Sequence, residues 1–505
     1  MNLRRSRLLV ILAVLLAASN SAPAADNTEI ANRIIQEGRA HTELMKNFEY
    51  LTDVIGPRLT GSKKFKRASE WAAQRMRDYG LQNVHLESWQ FGRGWQRGIA
   101  YGRMTAPYEM QLDFRALAWT PGTRGKVSGP VISIEGYAEA DLEKYKGKIK
   151  GAFLLTGEPG KIEPASHPRP PRMSDDGFNE QETSWPSGPA PTPANREAIQ
   201  RMMRSFQFRL TLAKFAKEEA AAAVIIDSAR PHGLLEAGAY AQGRNPQEPE
   251  TLPMLTMVHE HYGTLYRLVH RGTPVSLEME VTNYFEDGDN NAYNVAGEIP
   301  GKSKPEEVVI LGAHLDSWDL GTGATDNGAG SIAVLEAARI LGGLKLGQAR
   351  TIRFILFGGE EQGLLGSRAY VAAHKDEMER VSGAFVVDTG TGKVRGIGTE
   401  GIKDEIPVFT DILAPLKQIG VLYVNDRNQA GTDHMSFAMA GVPGFAFFQD
   451  AIEYREKTHH SQTDTLDKIL PDDLEQAAIT MAVMGNSVAE LPGLLPRRNR
   501  QGHVN

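Results

Sequence analysis

The sequence predicts an α/β protein, in which a mixed, mostly parallel central sheet is flanked by helices and interrupted by a β-rich insert. Three observations carry that prediction. Strand-length apolar runs alternate with helical patterns at Val308-Val309-Ile310-Leu311, Thr351 to Phe357 and Gly383 to Val387. Each run ends near an acid or an imidazole, at the sheet edge where open α/β folds bind ligands. Between about residues 126 and 285 the texture changes to strand-like pieces and turns without any such cluster.

The chain begins with Arg4, Arg5 and Arg7, then the apolar run Leu8 to Ala18 and the small-residue site Ala22-Pro23-Ala24. This is the pattern of a secretory signal peptide over residues 1–24. The run is too short to span a bilayer as a helix, so the mature protein is expected to be exported, periplasmic or extracellular, with no membrane anchor. A length of 505 residues with 41% hydrophobic side chains gives room for two cores. The formal charge of −6 becomes more negative once the leader arginines are removed, and an acidic surface argues against nucleic acid as a partner. The absence of cysteine excludes a disulfide framework, a lipidated cysteine and a thiol nucleophile.

Residues 25–125 are expected to form the first part of the main domain, 126–285 the insert, and 286–505 the second part of the main domain. Glu29 to about Tyr79 reads as helical, with Ile30, Ile34, Ile35, Trp71, Ala72, Met76 and Tyr79 on apolar faces. Glycine, proline and serine break it at Ile55-Gly56-Pro57-Arg58-Leu59-Thr60-Gly61-Ser62, where Arg58 reads as a structural arginine. Val84 to Phe91 alternates as a strand. In the insert, a helix through Phe215 to Ala220 feeds the strand Ala223 to Asp227, and Leu252 to Thr256 and Val275 to Val281 add further strands. The Pro-, Ser- and Gly-rich tract 157–194 is expected to lack regular structure. Leu474 to Ala489 closes the chain as an amphipathic helix before a polar tail.

The chemistry is concentrated after residue 308. His314 and Asp316 leave the first strand together, and Asp326 sits in the glycine-rich turn Thr325-Asp326-Asn327-Gly328-Ala329-Gly330 at a helix start. Glu360 and Glu361 follow the strand Thr351 to Phe357, Asp388 ends the next one, and His459-His460 add imidazoles near the end. Alone, each would more often be a solvated or hydrogen-bonded side chain. Together, two histidines and three acids suit two Zn²⁺ ions, with one glutamate left for proton transfer.

These segments, with Gly312-Ala313-His314-Leu315-Asp316-Ser317-Trp318-Asp319, Glu360-Glu361-Gln362-Gly363, Gly431-Thr432-Asp433, Gly441-Val442-Pro443-Gly444 and His459-His460-Ser461 followed by Asp464-Thr465, resemble the co-catalytic di-zinc exopeptidases. That family includes bacterial zinc aminopeptidases and plasma glutamate carboxypeptidase, and Trp318 and the doubled histidine resemble the carboxypeptidase Q branch most. The resemblance implies a zinc-exopeptidase-like fold with an inserted protease-associated domain serving as lid, access control or homodimer contact. It implies two zinc ions per chain, with His314 and Asp388 on one, Glu361 and His460 on the other, and Asp326 bridging. Glu360 would be the general acid/base, and Asp316 would fix the tautomer of His314. His459 is a candidate oxyanion donor. Asp433 would either meet the α-ammonium of a short peptide substrate or cap the helix starting at His434.

Three other classes compete. A serine hydrolase would need a nucleophile elbow, but Gly485-Asn486-Ser487-Val488-Ala489 lies in a helical pattern with only His503 downstream. A non-catalytic receptor-like protein on the same fold would have lost ligands that are all present here. A zinc aminopeptidase shares the motif chemistry and stays open as the alternative.

Overall fold

The computed structural model describes residues 24–162, 172, 193–286, 288–427, 429 and 431–498. The leader pattern before Ala24, most of the 157–194 tract and the tail after residue 498 lie outside the described residues.

Eight strands build the central sheet, in the order Gln82–Gln90, Asn291–Ile299, Arg350–Phe357, Lys304–His314, Val381–Val386, Gly444–Gln449, Val394–Gly398 and Tyr423–Asn425. The four strands from Arg350–Phe357 to Gly444–Gln449 run parallel, and antiparallel pairs attach the margins. The sheet is mixed and mostly parallel, as the sequence predicts. Helices cover both faces, so its inner strands are apolar on both sides instead of alternating with polar residues. Val309 and Leu311 point into the core shared with the helices Ala329–Leu344 and Pro471–Glu490. Val308 and Ile310 point to the opposite core, with Tyr370 from Leu365–Ala373 and Phe437 from His434–Met439.

Local chemistry sets the helix ends. The Ser62 hydroxyl accepts from the Phe65 backbone N–H at 3.1 Å and starts Lys63–Asp78, which ends with Arg75 and Arg77 in its last turn. Pro471 occupies the first turn of Pro471–Glu490 together with Asp472 and Asp473. That closing helix is buried over most of its circumference, and it contains the Gly485-Asn486-Ser487 stretch in regular helical backbone. Gly485 lets it approach the sheet, since a Cβ there would meet Leu311 Cδ1 at 2.6 Å. No described helix is long and apolar enough to cross a membrane.

A second eight-stranded sheet takes its strands from the chain between Gln82–Gln90 and Asn291–Ile299. Its order is Met110–Gln111, Gly94–Ala106, Ser276–Glu286, Val127–Ser133, Phe153–Leu155, Ala223–Asp227, Met254–Met257 and Phe114–Ala116, with helices Pro193–Glu218 and His259–His270 packed on it. The expected boundary at residue 126 needs correction. Gly94–Ala106 runs antiparallel to Ser276–Glu286, and Phe114–Ala116 pairs with Met254–Met257. Residues 94–116 therefore belong to the second sheet. A strand pattern fixes which face of a strand is apolar but not which sheet it joins. Likewise, Pro193 and Ala194, at the end of the tract expected to be irregular, lie in a helix.

One buried carboxyl group outside the site has a consequence for stability. Glu405, at the start of Glu405–Leu413, is fully buried, and neither carboxylate oxygen has a hydrogen-bond partner among the described residues. Burial, then the nearby Glu400 and Asp404, push its pKa up from 4.5 to about 9 against the opposing effect of Arg498. The unfolded chain loses this proton near pH 4.5 while the native state keeps it to about pH 9, so the group costs increasing stability as pH rises through that window. Glu405→Gln is expected to stabilise the protein by on the order of 1–3 kcal/mol at pH 8 and to leave it unchanged at pH 4, as read by urea unfolding at both pH values.

Candidate metal centre

The parallel register brings the site together. His314 ends its strand opposite Phe357, and Gly312 lies opposite Val386, so His314, Glu360, Glu361 and Asp388 all emerge at one carboxyl edge. Asp326 comes from the turn between His314 and the helix Ala329–Leu344. Asn327 fixes that turn, donating to the Val387 carbonyl at 2.8 Å and accepting from the Gly330 N–H at 2.8 Å. Gly330 is required there, because a Cβ would meet the Val387 oxygen at 2.3 Å. The histidine loop is tied to the same turn by Asp464, which accepts from Thr325 N at 2.5 Å, Thr325 Oγ1 at 2.8 Å and Asp326 N at 3.2 Å.

The donor atoms form two halves that meet at Asp326. His314 Nε2 lies 3.1 Å from Asp388 Oδ1 and 3.4 Å from Asp326 Oδ1. On the other side, His460 Nε2 lies 3.0 Å from Glu361 Oε2 and 3.5 Å from Asp326 Oδ2. Atoms bound tetrahedrally to one Zn²⁺ at about 2.0–2.1 Å are about 3.3 Å apart, so each half has the spacing of a zinc ligand set. Asp326 Oδ2 and Glu361 Oε1 are buried without hydrogen-bond partners among the described residues, which a cation would resolve. The donor set therefore fits zinc on each side of one carboxylate.

The other face of each ring is also engaged. His314 Nδ1 faces the Asp316 backbone carbonyl at 3.0 Å and its carboxylate at 3.5 Å. The expected tautomer contact of Asp316 thus runs mainly through its carbonyl. Its carboxylate is occupied in holding the opposite strand end, accepting from Glu360 N at 3.2 Å, Glu361 N at 3.4 Å and Thr60 Oγ1 at 2.8 Å. Arg58 is fully buried and donates to the carbonyls of Leu315 at 2.7 Å, Thr322 at 2.8 Å and Gly323 at 2.7 Å. It clamps both ends of the segment that joins His314 to Asp326.

The electrostatics favour added positive charge. Burial raises Glu361, Asp433 and Asp464 each to about 7, and neighbouring acids add to the rise. Glu360 is pushed well above the usual carboxylate range by burial and by Asp388, Asp433 and Glu361, with His314 opposing. Burial would raise Asp326 too, but His314, His460 and His459 hold it below its ordinary value. Burial works against protonated His314, yet Asp388, Asp316 and Asp326 outweigh it and lift the ring well above its ordinary value. Metal binding to such a set releases protons.

The structure gathers His314, Asp316, Asp326, Glu361, Asp388 and His460, with Glu360 beside them, and treats the two remaining expectations differently. His459 stacks on His460 with ring centroids 3.7 Å apart, and its Nε2 is 4.0 Å from Asp326 Oδ2. It could enter a ligand group with Asp326 and His460, but His460 is nearer the carboxylate and also meets Glu361. Burial lowers His459 to about 4, so its ring is neutral near pH 7. Asp433 is fully buried and its side chain does not cap His434–Met439. It lies within electrostatic reach of His314, Asp316 and Asp388, and the helix cap is not formed. Helix spacing locates such an acid but not the depth at which it is buried.

Sequence reasoning missed two contributors. Thr60 orients Asp316, and the segment 230–237 of the second sheet's unit reaches the histidine loop. Neither has a local signal, because each works through a partner far away in the chain.

The sequence profile of Peptidase family M28 matches residues 294–484. Carboxypeptidase Q of Mus musculus is 27% identical over 479 residues, which cover 94% of this chain and 92% of that protein. A Peptidase M28 precursor from Shewanella amazonensis, 26% identical, has a crystal structure similar to this one at a TM-score of 0.71, covering 94% of this chain and 99% of that one. The zinc aminopeptidase of Bacillus subtilis, 19% identical, shares the fold with a TM-score of 0.57 over 92% of this chain and 98% of its own.

Proposed function

We propose that this chain is a zinc metallopeptidase of the exopeptidase kind to which carboxypeptidase Q and the bacterial zinc aminopeptidases belong, an exported enzyme that uses two zinc ions to hydrolyse terminal bonds of short peptides or dipeptides. One observation carries the two-ion reading. A single buried carboxylate, Asp326, faces one imidazole with each of its oxygens, and a second acid completes each side. Bound zinc supplies Lewis acidity toward the scissile carbonyl and toward an attacking water. The chain supplies the rest. Glu360, which is in neither imidazole group, takes the proton of the attacking water and returns it to the leaving amine. Asp316 holds the backbone of Glu360 and Glu361, and Arg58 holds the backbone between His314 and Asp326.

The restriction to chain ends follows from what lies over the edge. We assign the second sheet's unit the part of a protease-associated-like cover. Arg97 from that unit pairs with Asp319 at 2.7 Å, and Arg230 donates to the His459 carbonyl at 3.0 Å. Trp318 packs edge-on against His460 with centroids 6.1 Å apart. A site walled in this way suits a peptide terminus better than a continuous chain. The test offers one dipeptide free, N-acetylated and C-amidated, together with a long unstructured peptide. Release from the free dipeptide without internal cleavage of the long peptide is expected. Internal cleavage would remove the exopeptidase reading. Loss of activity on acetylation alone points to aminopeptidase chemistry, and loss on amidation alone points to carboxypeptidase chemistry.

A further inference from the structure

We infer that the second sheet's unit is part of the metal centre as well as its cover, with Glu236 as the positioning residue for His460. The inference rests on the two-zinc reading above, in which His460 uses Nε2 as a ligand. It starts from an asymmetry between the two histidines. His314 finds the partner for its other nitrogen two residues along its own chain, at Asp316. Among the described residues His460 has no such neighbour on its own loop. The carboxylate facing its Nδ1 is Glu236, with Oε1 at 3.6 Å, and it comes from the other sheet's unit.

Glu236 is not free to turn elsewhere. Its Oε2 accepts from Arg230 Nη1 at 2.5 Å, which leaves Oε1 for the imidazole. The same Arg230 nitrogen also donates to the His459 carbonyl at 3.0 Å, and Nη2 donates to the Glu456 carbonyl at 3.2 Å. One guanidinium therefore fixes both the carboxylate and the loop that carries the ring. The backbones are joined as well. Ala237 N–H donates to the His460 carbonyl at 2.8 Å, Leu235 N–H donates to Gln462 Oε1 at 2.8 Å, and Gln462 Nε2 donates to the Gly233 carbonyl at 2.8 Å.

This clamp matters because His460 has φ +57°, a left-handed conformation that a residue with a Cβ adopts only when its surroundings enforce it. The contact from Ala237 falls on His460 itself. A metal-binding imidazole is commonly oriented by a carboxylate or carbonyl on its other nitrogen, and losing that partner typically lowers metal affinity about 10–100-fold. Here that partner and the backbone restraint both come from outside the sheet that bears the ligands. The ion held by His460 and Glu361 is accordingly coupled to the second unit through Glu236, a carboxylate that does not face the imidazole of His314.

The experiment titrates zinc into metal-free full-length protein against a chromophoric chelator, for the parent, Glu236→Gln and Glu236→Ala. Cobalt titration followed by the visible spectrum runs in parallel, and the melting temperature of each metal-free protein is recorded. Expected is a loss of about 10–100-fold in affinity for one ion in Glu236→Ala and a smaller loss in Glu236→Gln, which keeps an acceptor oxygen. The other ion should hold its parental affinity, only one cobalt equivalent should change its spectrum, and the metal-free melting temperatures should coincide. Parental affinity for both ions in both variants would overturn the inference, and so would equal weakening of both ions with a lowered metal-free melting temperature. A parent that takes up a single ion would instead defeat the two-zinc reading, so the two failures are told apart by the parent alone.

Discussion

Glu360→Gln is expected to lower kcat on a dipeptide by about 10²–10⁴-fold while zinc content stays at the parental level. The substitution keeps the shape and removes only the ability to accept and return a proton. Among the described residues Glu360 forms no ion pair with His314 or His460, whereas Glu361, one residue on, meets His460 at 3.0 Å. Two adjacent carboxylates are thus separated by role through their partners. Burial, Asp388, Asp433 and Glu361 raise Glu360 above the usual carboxylate range in the metal-free chain, with His314 opposing. Glu361→Gln is the control and should lower zinc content along with activity. Near-parental kcat in Glu360→Gln, with metal intact, would show that the proton moves through another group.

The readable and unreadable parts of this molecule differ in range. His314, Glu361 and Asp388 could be found in the sequence because a strand buried on both faces is a continuous apolar run, and a parallel register carries the residues after each run to a common edge. Asp326 could be found because Asn327 and Gly330 must shape its turn, and both leave a compositional trace. Arg58 was readable as structural from its loop, although which carbonyls it meets was not. Asp433 shows the limit, since the same few letters could describe a helix cap, which is not formed, or an acid buried beside the site. Residues 94–116 show another, because alternation gives a strand two faces but no address. Glu236 leaves no trace at all. Its chemistry exists only once two sheets are docked.

Asp326→Ala is expected to remove zinc from both positions and to lower activity by about 10³-fold or more, matching the loss on exhaustive chelation of the parent. The expectation comes from sharing. Asp326 Oδ1 is 3.4 Å from His314 Nε2 and Oδ2 is 3.5 Å from His460 Nε2, so one side chain contributes to each ligand group. Among the described residues Asp326 is the acid paired with both imidazoles, since Asp316 and Asp388 meet His314 alone and Glu236 and Glu361 meet His460 alone. Its removal also takes away a charge that offsets both imidazoles, so the metal-free variant should hold those rings neutral to lower pH than the parent does. His460→Ala supplies the comparison. That substitution reaches only one group and should leave about one zinc per chain, whereas Asp326→Ala should leave clearly less, as measured by metal analysis after dialysis against dilute chelator. If Asp326→Ala retained one ion at parental affinity, Asp326 would serve a single metal, and the two halves of the site would have to be held by separate ligands.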